Sequence, residues 1–495
     1  MKQSLLTLTL AAALPLTAAP AGEVPAHPDK LTFKSYSFTP PAARDFRVAL
    51  KSGVVAYVAP DAELPLVNIS ITLRGGTYLN PAGKEGLAEM VGYLLTKSGT
   101  KKRKAEDLDE DLAFLAANLN SSIDLDRGVV SLNLLSKDVD EGLKLLREVL
   151  TEPAFQENKL KLRKDQLLSD LKTRNDDTRD IEQRERRFLI YGEGYYQARY
   201  TTKASIESIS QKDLVDFHRK WFDPRNMTVA VAGKVDKAAM VKKLETFFAV
   251  WPIKGEAAPP VPKPDHKLTP GLYMVDKDVN QGRVSIILPG LLRTDPDYLA
   301  ADVMNDILGG GGFTSRITNR VRSDEGLAYS AGSGLGGGVW FPGNLAAAFQ
   351  SKVRTCSYAT QIVLDEMKKM RSGEVTDEEL ETAKNQFVEV QPRRWATKAQ
   401  VAANLVDEEF TGRYKSDPGY WPNYAANVRK VTKADVKRAA ERLLTPEKAT
   451  ILVVGKKADL LNPDPKHPVA FSELVGGKVT DVPLRDPFTM KPMGK

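Results

Sequence analysis

The sequence of 495 residues holds one cysteine and four histidines. A single cysteine, Cys356, excludes an intrachain disulfide and any zinc site built on cysteine pairs, so the fold rests on burial alone. The histidines His27, His218, His266 and His467 include no pair at i, i+3 or i+4, so no helix carries a histidine couple for a metal. Charge of one sign is not concentrated either. The 71 Lys and Arg against 64 Asp and Glu leave +7 spread along the chain, with Lys101-Lys102-Arg103-Lys104 as the one compact basic run. That distribution argues against nucleic acid as a partner. Beyond residues 1–21 no hydrophobic run is long enough to span a membrane. With 42% hydrophobic and 27% charged residues the chain is neither disordered nor collagen-like, and its length allows two to four domains.

The first residues are a different matter. Met1-Lys2-Gln3, a Leu/Ala/Thr run and Ala19-Pro20-Ala21 form the charged, apolar and small-residue regions of a signal peptide, with cleavage expected after Ala21. A membrane anchor is the alternative, but the apolar run is shorter than the ~20 residues a span needs. The expectation is an exported chain, placed in a bacterial periplasm.

Sliding the chain against itself exposes a duplication. Ile209-Ser210-Gln211-Lys212-Asp213-Leu214 through Pro224, Thr228, Val231 and Gly233 recurs 222 positions later as Val431-Thr432-Lys433-Ala434-Asp435-Val436 through Pro446, Thr450, Val453 and Gly455. Ser70 to Gly75 is echoed 215 positions on by Ser285 to Gly290. In the first repeat a capping Ser or Thr opens a helix, a proline turn follows, and a Val-rich strand closes the unit. These signals predict a signal peptide at 1–21, a leader at 22–45, a first half at 46–251, a proline-rich linker at 252–270, a second half at 271–460 and a docked tail at 461–495. Strands are expected at Val54–Val58, Leu66–Leu73, Val129–Leu135, Gly271–Met274, Arg283–Leu288 and Leu345–Lys352. Helices are expected at Glu106–Asn118, Asp138–Thr151 and, as one long element, Gln156–Phe188. Few connections read as parallel crossovers, so each half is predicted to be α+β, a mostly antiparallel sheet covered by helices.

Several motifs then carry a likeness. Gly86-Leu87-Ala88, Lys97-Ser98-Gly99-Thr100, Ala117 to Asn120, Asp223-Pro224-Arg225-Asn226, Leu308-Gly309-Gly310-Gly311 and Gly326-Leu327-Ala328-Tyr329-Ser330 together resemble the pitrilysin-type zinc metallopeptidases, or inverzincins, which include the mitochondrial processing peptidases. The likeness covers nearly all of residues 45–460. It implies a clam-shell of two homologous halves. In that family a helix bears His-x-x-Glu-His, two histidines binding zinc and a glutamate activating water. Set on the Gly86-Leu87-Ala88 anchor, this chain has Glu89, Gly92 and Tyr93 at those three positions. The family's third ligand, a glutamate 77 positions after the second histidine, falls on Asp170. One carboxylate in place of a ligand set implies no zinc in this chain. Glu89 and Asp170 are either remnants of a pocket, in the boldest version an acid/base pair, or solvated helix carboxylates.

The family's second half offers an arginine and a tyrosine seven positions apart, and Arg322 and Tyr329 match that spacing. A phenol donates to an oxygen on which negative charge develops, and a guanidinium holds the peptide. The bland alternative is a surface arginine and a tyrosine packed into a strand edge. The glycines at Gly309 to Gly312 lack the Lys-Ser/Thr ending of a phosphate cradle, and in the family frame they form a flexible loop. Cys356, on an expected strand, reads as a packed thiol.

The resemblance therefore implies a non-catalytic, substrate-side subunit of a heteromeric zinc peptidase. Its partners would be a family member carrying the zinc and a peptide substrate, with no nucleic acid and no membrane span. The other reading is an inert peptide-binding or scaffolding protein of the cell envelope.

Overall fold

The computed structural model describes residues 27, 30, 31, 38–373, 375–474 and 478–494, so the expected signal peptide lies outside the described residues. The chain divides into two units, Met1–Thr39 and Pro40–Lys495. In the first, the Lys30 amide donates to His27 O (3.0 Å). All that follows concerns the second.

Two six-stranded sheets share one plan. The first contains β1 (Arg47–Ala49), β2 (Val55–Pro60), β3 (Leu66–Arg74), β4 (Asn118–Ile123), β5 (Arg127–Leu135) and β6 (Met227–Gly233) in the order β1-β2-β6-β3-β5-β4. The second contains β7 (Gly271–Asp276), β8 (Gln281–Pro289), β9 (Ala328–Leu335), β10 (Asn344–Lys352), β11 (Thr450–Gly455) and β12 (Val479–Asp481) in the order β12-β7-β11-β8-β10-β9. In each, the strand closing the repeat, β6 or β11, lies antiparallel to β3 or β8 and parallel to β2 or β7. The remaining pairs are antiparallel, except that β12 runs parallel to β7. This is the α+β arrangement the spacing predicts, doubled.

The repeat is visible at the level of single hydrogen bonds. Ser210 Oγ and Thr432 Oγ1 each accept the amide of an aspartate three residues on, at 3.2 Å from Asp213 N and 3.2 Å from Asp435 N. The two caps open the helices Gln211–Trp221 and Lys433–Leu443.

β6 and β11 are near-continuous apolar runs, Met-Thr-Val-Ala-Val-Ala-Gly and Thr-Ile-Leu-Val-Val-Gly, and β11 is buried at every position. A strand without alternation needs cover on both faces. Each half supplies one of those covers to the other. The helix Lys398–Phe410 of the second half lies across β2, β3 and β6, burying Val401, Ala402, Leu405, Val406 and Phe410. The helix Thr178–Tyr191 of the first half lies across β8 and β11, where Ile181 joins Val275, Leu452 and Val454 in one cluster. Each such aliphatic side chain contributes roughly 1.5–3 kcal/mol on burial.

Polar contacts fix the exchanged helices in place. Glu409 accepts from Arg47 Nε (3.0 Å), Arg47 Nη2 (3.1 Å) and Tyr57 Oη (2.9 Å). Burial opposes this carboxylate's charge, yet the bonds from Arg47 and Tyr57 hold its pKa below the usual glutamate value. Arg127 Nη1 reaches Asp407 at 2.8 Å, and the Arg127 guanidinium lies 4.1 Å from the centre of the Phe410 ring. At the other crossing Ser285 Oγ donates to Glu182, and Arg485 Nε donates to Glu185 (3.1 Å).

Three expectations change. The predicted helix Gln156–Phe188 is two helices, Glu157–Lys172 and Thr178–Tyr191. The polar run Asn175-Asp176-Asp177 breaks it, Asp177 Oδ1 accepting Arg179 N (2.7 Å) to start the second. The predicted helix Glu106–Asn118 runs from Ala105 to Phe114, and Ala116 at φ 48° turns the chain into β4. Cys356 is the first residue of the helix Cys356–Ser372 rather than part of a strand. It is fully buried, and burial pushes its thiol up to about 12, which makes it inert packing.

Removing the Glu409 carboxylate leaves Arg47 without its ion-pair partner at the crossing of the halves. Glu409→Ala is expected to lower unfolding free energy by about 3 kcal/mol, read from urea denaturation, with one cooperative transition retained.

Candidate functional site

The helix Leu87–Leu94 begins at Gly86, whose φ of 100° is open to glycine at little cost, and buries Leu87, Ala88, Met90, Val91 and Leu94. Asn80 serves its first turn twice, accepting Ala88 N at Oδ1 (2.8 Å) and donating from Nδ2 to Glu89 Oε2 (3.3 Å). The Glu89 carboxylate faces a cavity of about 190 Å³ lined also by Asp124, Arg187, Tyr196 and Arg199. Glu89 is exposed to solvent there, and partial desolvation by the surrounding protein raises its pKa. Arg187 and Gln197 also line a second cavity of about 450 Å³, closed from the other half by Trp340 and Phe341.

One turn on, Gly92 is buried against the β4 backbone. A Cβ built there would stand 2.3 Å from Ile123 N, so no side chain fits without moving the strand. Tyr93 lies beneath the Arg163 guanidinium, 4.2 Å from Cζ to the ring centre. Asp170 is exposed on the helix Glu157–Lys172 and is not among the residues that line the Glu89 cavity. These residues do not fit a zinc ion. Glu89 offers one carboxylate, Gly92 offers no base, and a fixed cation covers Tyr93. No group of three His, Cys, Asp or Glu that could hold a metal gathers among the described residues. Glu89 and Asp170 are thus not brought together as an acid/base pair.

In the second half Arg322 and Tyr329 do come together. Arg322 leaves the wide helical turn Asn319–Asp324, and Tyr329 leaves β9, the outermost strand of its sheet. Between them Gly326 turns the chain at φ 60°. The Arg322 Cζ lies 4.9 Å from the Tyr329 ring centre and 4.4 Å from that of Phe313. Tyr329 is 86% exposed and Phe313 64% exposed, so the tyrosine is not packed into the strand edge. Phe313 was not singled out by the sequence, although an aromatic after four glycines on a surface turn was its signal. The glycines themselves are not a loose loop. Gly309 abuts β9, a Cβ there falling 2.5 Å from Ser333 N, and Thr318 Oγ1 donates to Ala331 O (2.8 Å). Backbone contact, rather than mobility, explains that glycine.

The histidines take structural places. His218, expected in a charged helix, sits on the buried face of that helix, with Nε2 donating to Leu150 O (2.9 Å) and burial lowering its pKa to about 4. His266 Nε2 donates to Leu189 O (3.1 Å), and His467 stacks on Tyr358 with ring centres 4.1 Å apart.

The helix Tyr298–Asn305 holds, in the second half, the place of Leu87–Leu94 in the first. It carries Asp302, with Asp306 one turn further on, both without an ion-pair partner among the described residues. Burial lifts each to about 6, and for Asp302 the neighbouring Asp306 adds to it.

Residues 57–190 match the insulinase (peptidase family M16) model, and residues 208–387 match the peptidase M16 inactive domain. The chain belongs to the peptidase M16 family. Curated relatives of this M16 chain include a protein named as an uncharacterized zinc protease from Rickettsia bellii, 24% identical over 82% of this chain and 96% of that protein. Another is the non-peptidase homolog YmxG of Helicobacter pylori, 27% identical over 67% of this chain and 76% of its own length. Among solved structures, a peptidase M16 inactive domain from Pseudomonas fluorescens superposes with a TM-score of 0.72 at 22% identity, covering 83% of this chain and 97% of that one. The periplasmic protease PqqL of Escherichia coli superposes at 0.69 with 16% identity, over 90% of this chain and 49% of PqqL. These likenesses establish the two-halved fold of the M16 proteins. Within that fold this chain lacks the metal-binding motif.

Two sets of measurements follow from the geometry. Gly92→Ala is expected to cost about 1–3 kcal/mol through overpacking against β4, and the triple variant Glu89→His, Gly92→Glu, Tyr93→His is expected to bind no stoichiometric zinc by elemental analysis and to hydrolyse no peptide. The second concerns pH. An aspartate raised to about 6 when folded binds a proton that the unfolded chain has already lost, so its contribution to stability is full below the ordinary aspartate range and declines as pH rises through 6. The double variant Asp302→Asn, Asp306→Asn is therefore expected to raise Tm at pH 7.5 and leave it nearly unchanged at pH 4.

Proposed function

We propose that this chain is the non-catalytic, substrate-side subunit of a periplasmic heteromeric zinc peptidase, supplying Arg322 and Tyr329 to the zinc site of a partner of the same family. The observation that carries the reading is the exposed cluster of Arg322, Tyr329 and Phe313 beside an unpaired sheet edge, in a chain whose own metal helix is blocked at Gly92. Exposed aromatic rings leave apolar surface in water, and the Arg322 guanidinium has no carboxylate partner among the described residues, a combination well suited to a peptide. The open edge of β9 offers main-chain donors and acceptors to an extended chain. The tyrosine hydroxyl is then available to a carbonyl oxygen whose charge grows during attack by a partner-activated water, and the guanidinium to the peptide beside it. No step of that chemistry uses Glu89 or Asp170.

The signal-like residues 1–21, together with the likeness to a protease described as periplasmic, support export. No helix among the described residues is long and apolar enough to cross a membrane. We further propose the divisions 46–251 and 271–460 as the two halves, joined through 252–270, with 461–495 as the tail.

Affinity capture of the tagged mature chain is expected to retain, in stoichiometric amount, a chain bearing His-x-x-Glu-His. In the reconstituted pair, Tyr329→Phe and Arg322→Ala are each expected to lower kcat/KM by roughly 100-fold or more. Full activity in both variants removes the assigned roles. Capture of the chain alone moves the reading to an inert peptide-binding scaffold.

A further inference from the structure

We propose that a cavity in the first half, away from the Glu89 pocket, binds an amphipathic anion, a phosphate or carboxylate headgroup joined to a short apolar group. The cavity, about 470 Å³, lies where three separate segments converge. Lys101 comes from the turn after the Leu87–Leu94 helix, Arg219 from the last turn of Gln211–Trp221, and Lys254 from the stretch between the halves. None of these three cations has an ion pair or a side-chain hydrogen bond among the described residues. Their sequence neighbours do: Lys102 Nζ is bound to Glu152 (3.1 Å) and Lys220 Nζ lies 3.5 Å from Glu256. The three unpaired cations thus share one cavity wall. Glu152 also lines the cavity, but its carboxylate is already engaged by Lys102.

A helix C-terminus attracts cations, which accounts for Arg219 alone. It does not account for Lys101 and Lys254, which belong to no helix and line the same cavity as Arg219. Beneath the charges the lining is apolar, with Phe155, Val215, Pro153 and Ile253. His218 completes it, and Arg219 and Lys101 both press its pKa downward, adding to the effect of burial. The ring is uncharged at neutral pH and contributes an apolar face. Cations over an apolar lining match a headgroup and a tail, whereas a simple inorganic anion would leave the lining unused. The segment carrying Lys254 is anchored on both sides of that residue: Trp251 Nε1 donates to Phe222 O (2.9 Å) and Gly255 N to Asp223 Oδ2 (3.0 Å).

Calorimetric titration of the mature chain tests the assignment with three probes, hexyl phosphate, inorganic phosphate and hexanol. Saturable one-site binding of hexyl phosphate is expected, about tenfold or more tighter than either of the others. The variant Lys101→Gln, Arg219→Gln, Lys254→Gln is expected to weaken it by about tenfold or more, while Lys102→Gln leaves it unchanged, and the ring resonances of His218 are expected to shift on binding. Absence of saturation by hexyl phosphate, or an unchanged affinity in the triple variant with native circular dichroism, overturns the proposal. Retention on phosphatidylglycerol vesicles, lost in the triple variant, identifies a lipid headgroup as the source. Hexyl phosphate binding without vesicle retention identifies a soluble amphiphile.

Discussion

The structure depends on an exchange of helices between its halves. β6 and β11 are apolar on both faces, and a half on its own has helices for only one of them. The second face of each sheet is covered by a helix from the opposite half, Lys398–Phe410 on one side and Thr178–Tyr191 on the other. Hydrophobic burial drives the exchange, and the bonds of Arg47 and Tyr57 to Glu409 set its register. The cavities between the halves have walls from both because the exchange holds those walls at a fixed spacing.

Much of this was legible in the residues. The duplicated caps at Ser210 and Thr432 and the Val-rich strands after them fixed the repeat, because caps and strand patterns are local properties. The α+β class followed from the scarcity of connections that read as parallel strand–helix–strand crossovers. What was not legible depended on distant partners. That the Lys398–Phe410 helix would lie on the first sheet has no signature in its own sequence. The break after Lys172 was masked by continuous helical periodicity, and the left-handed Ala116 broke the rule that such positions favour glycine.

The candidate site divides in the same way. The absence of zinc ligands at Glu89, Gly92 and Tyr93 is plain from residue types, but the reason the absence is firm is spatial. Gly92 is where a helix touches a strand backbone, and the guanidinium over Tyr93 comes from a helix whose approach only the fold reveals. Arg322 and Tyr329 were singled out by the resemblance, as a match to the family's arginine and tyrosine, whereas the contact of Arg322 with Phe313 joins two different turns and had no counterpart in the motif. His218 does lie in a charge-rich helix, but that its side chain points inward beside its charged neighbours Arg219 and Lys220 shows only in the fold.

The segment after β11 takes part in closing the second sheet. β12 extends the second sheet beside β7, and Arg485 reaches back to Glu185 on the helix that the first half lends to the second. Neither half can finish burying its apolar strands until the other has been made. Folding of this chain is accordingly a late event dominated by contacts of long sequence separation, slow by its topology.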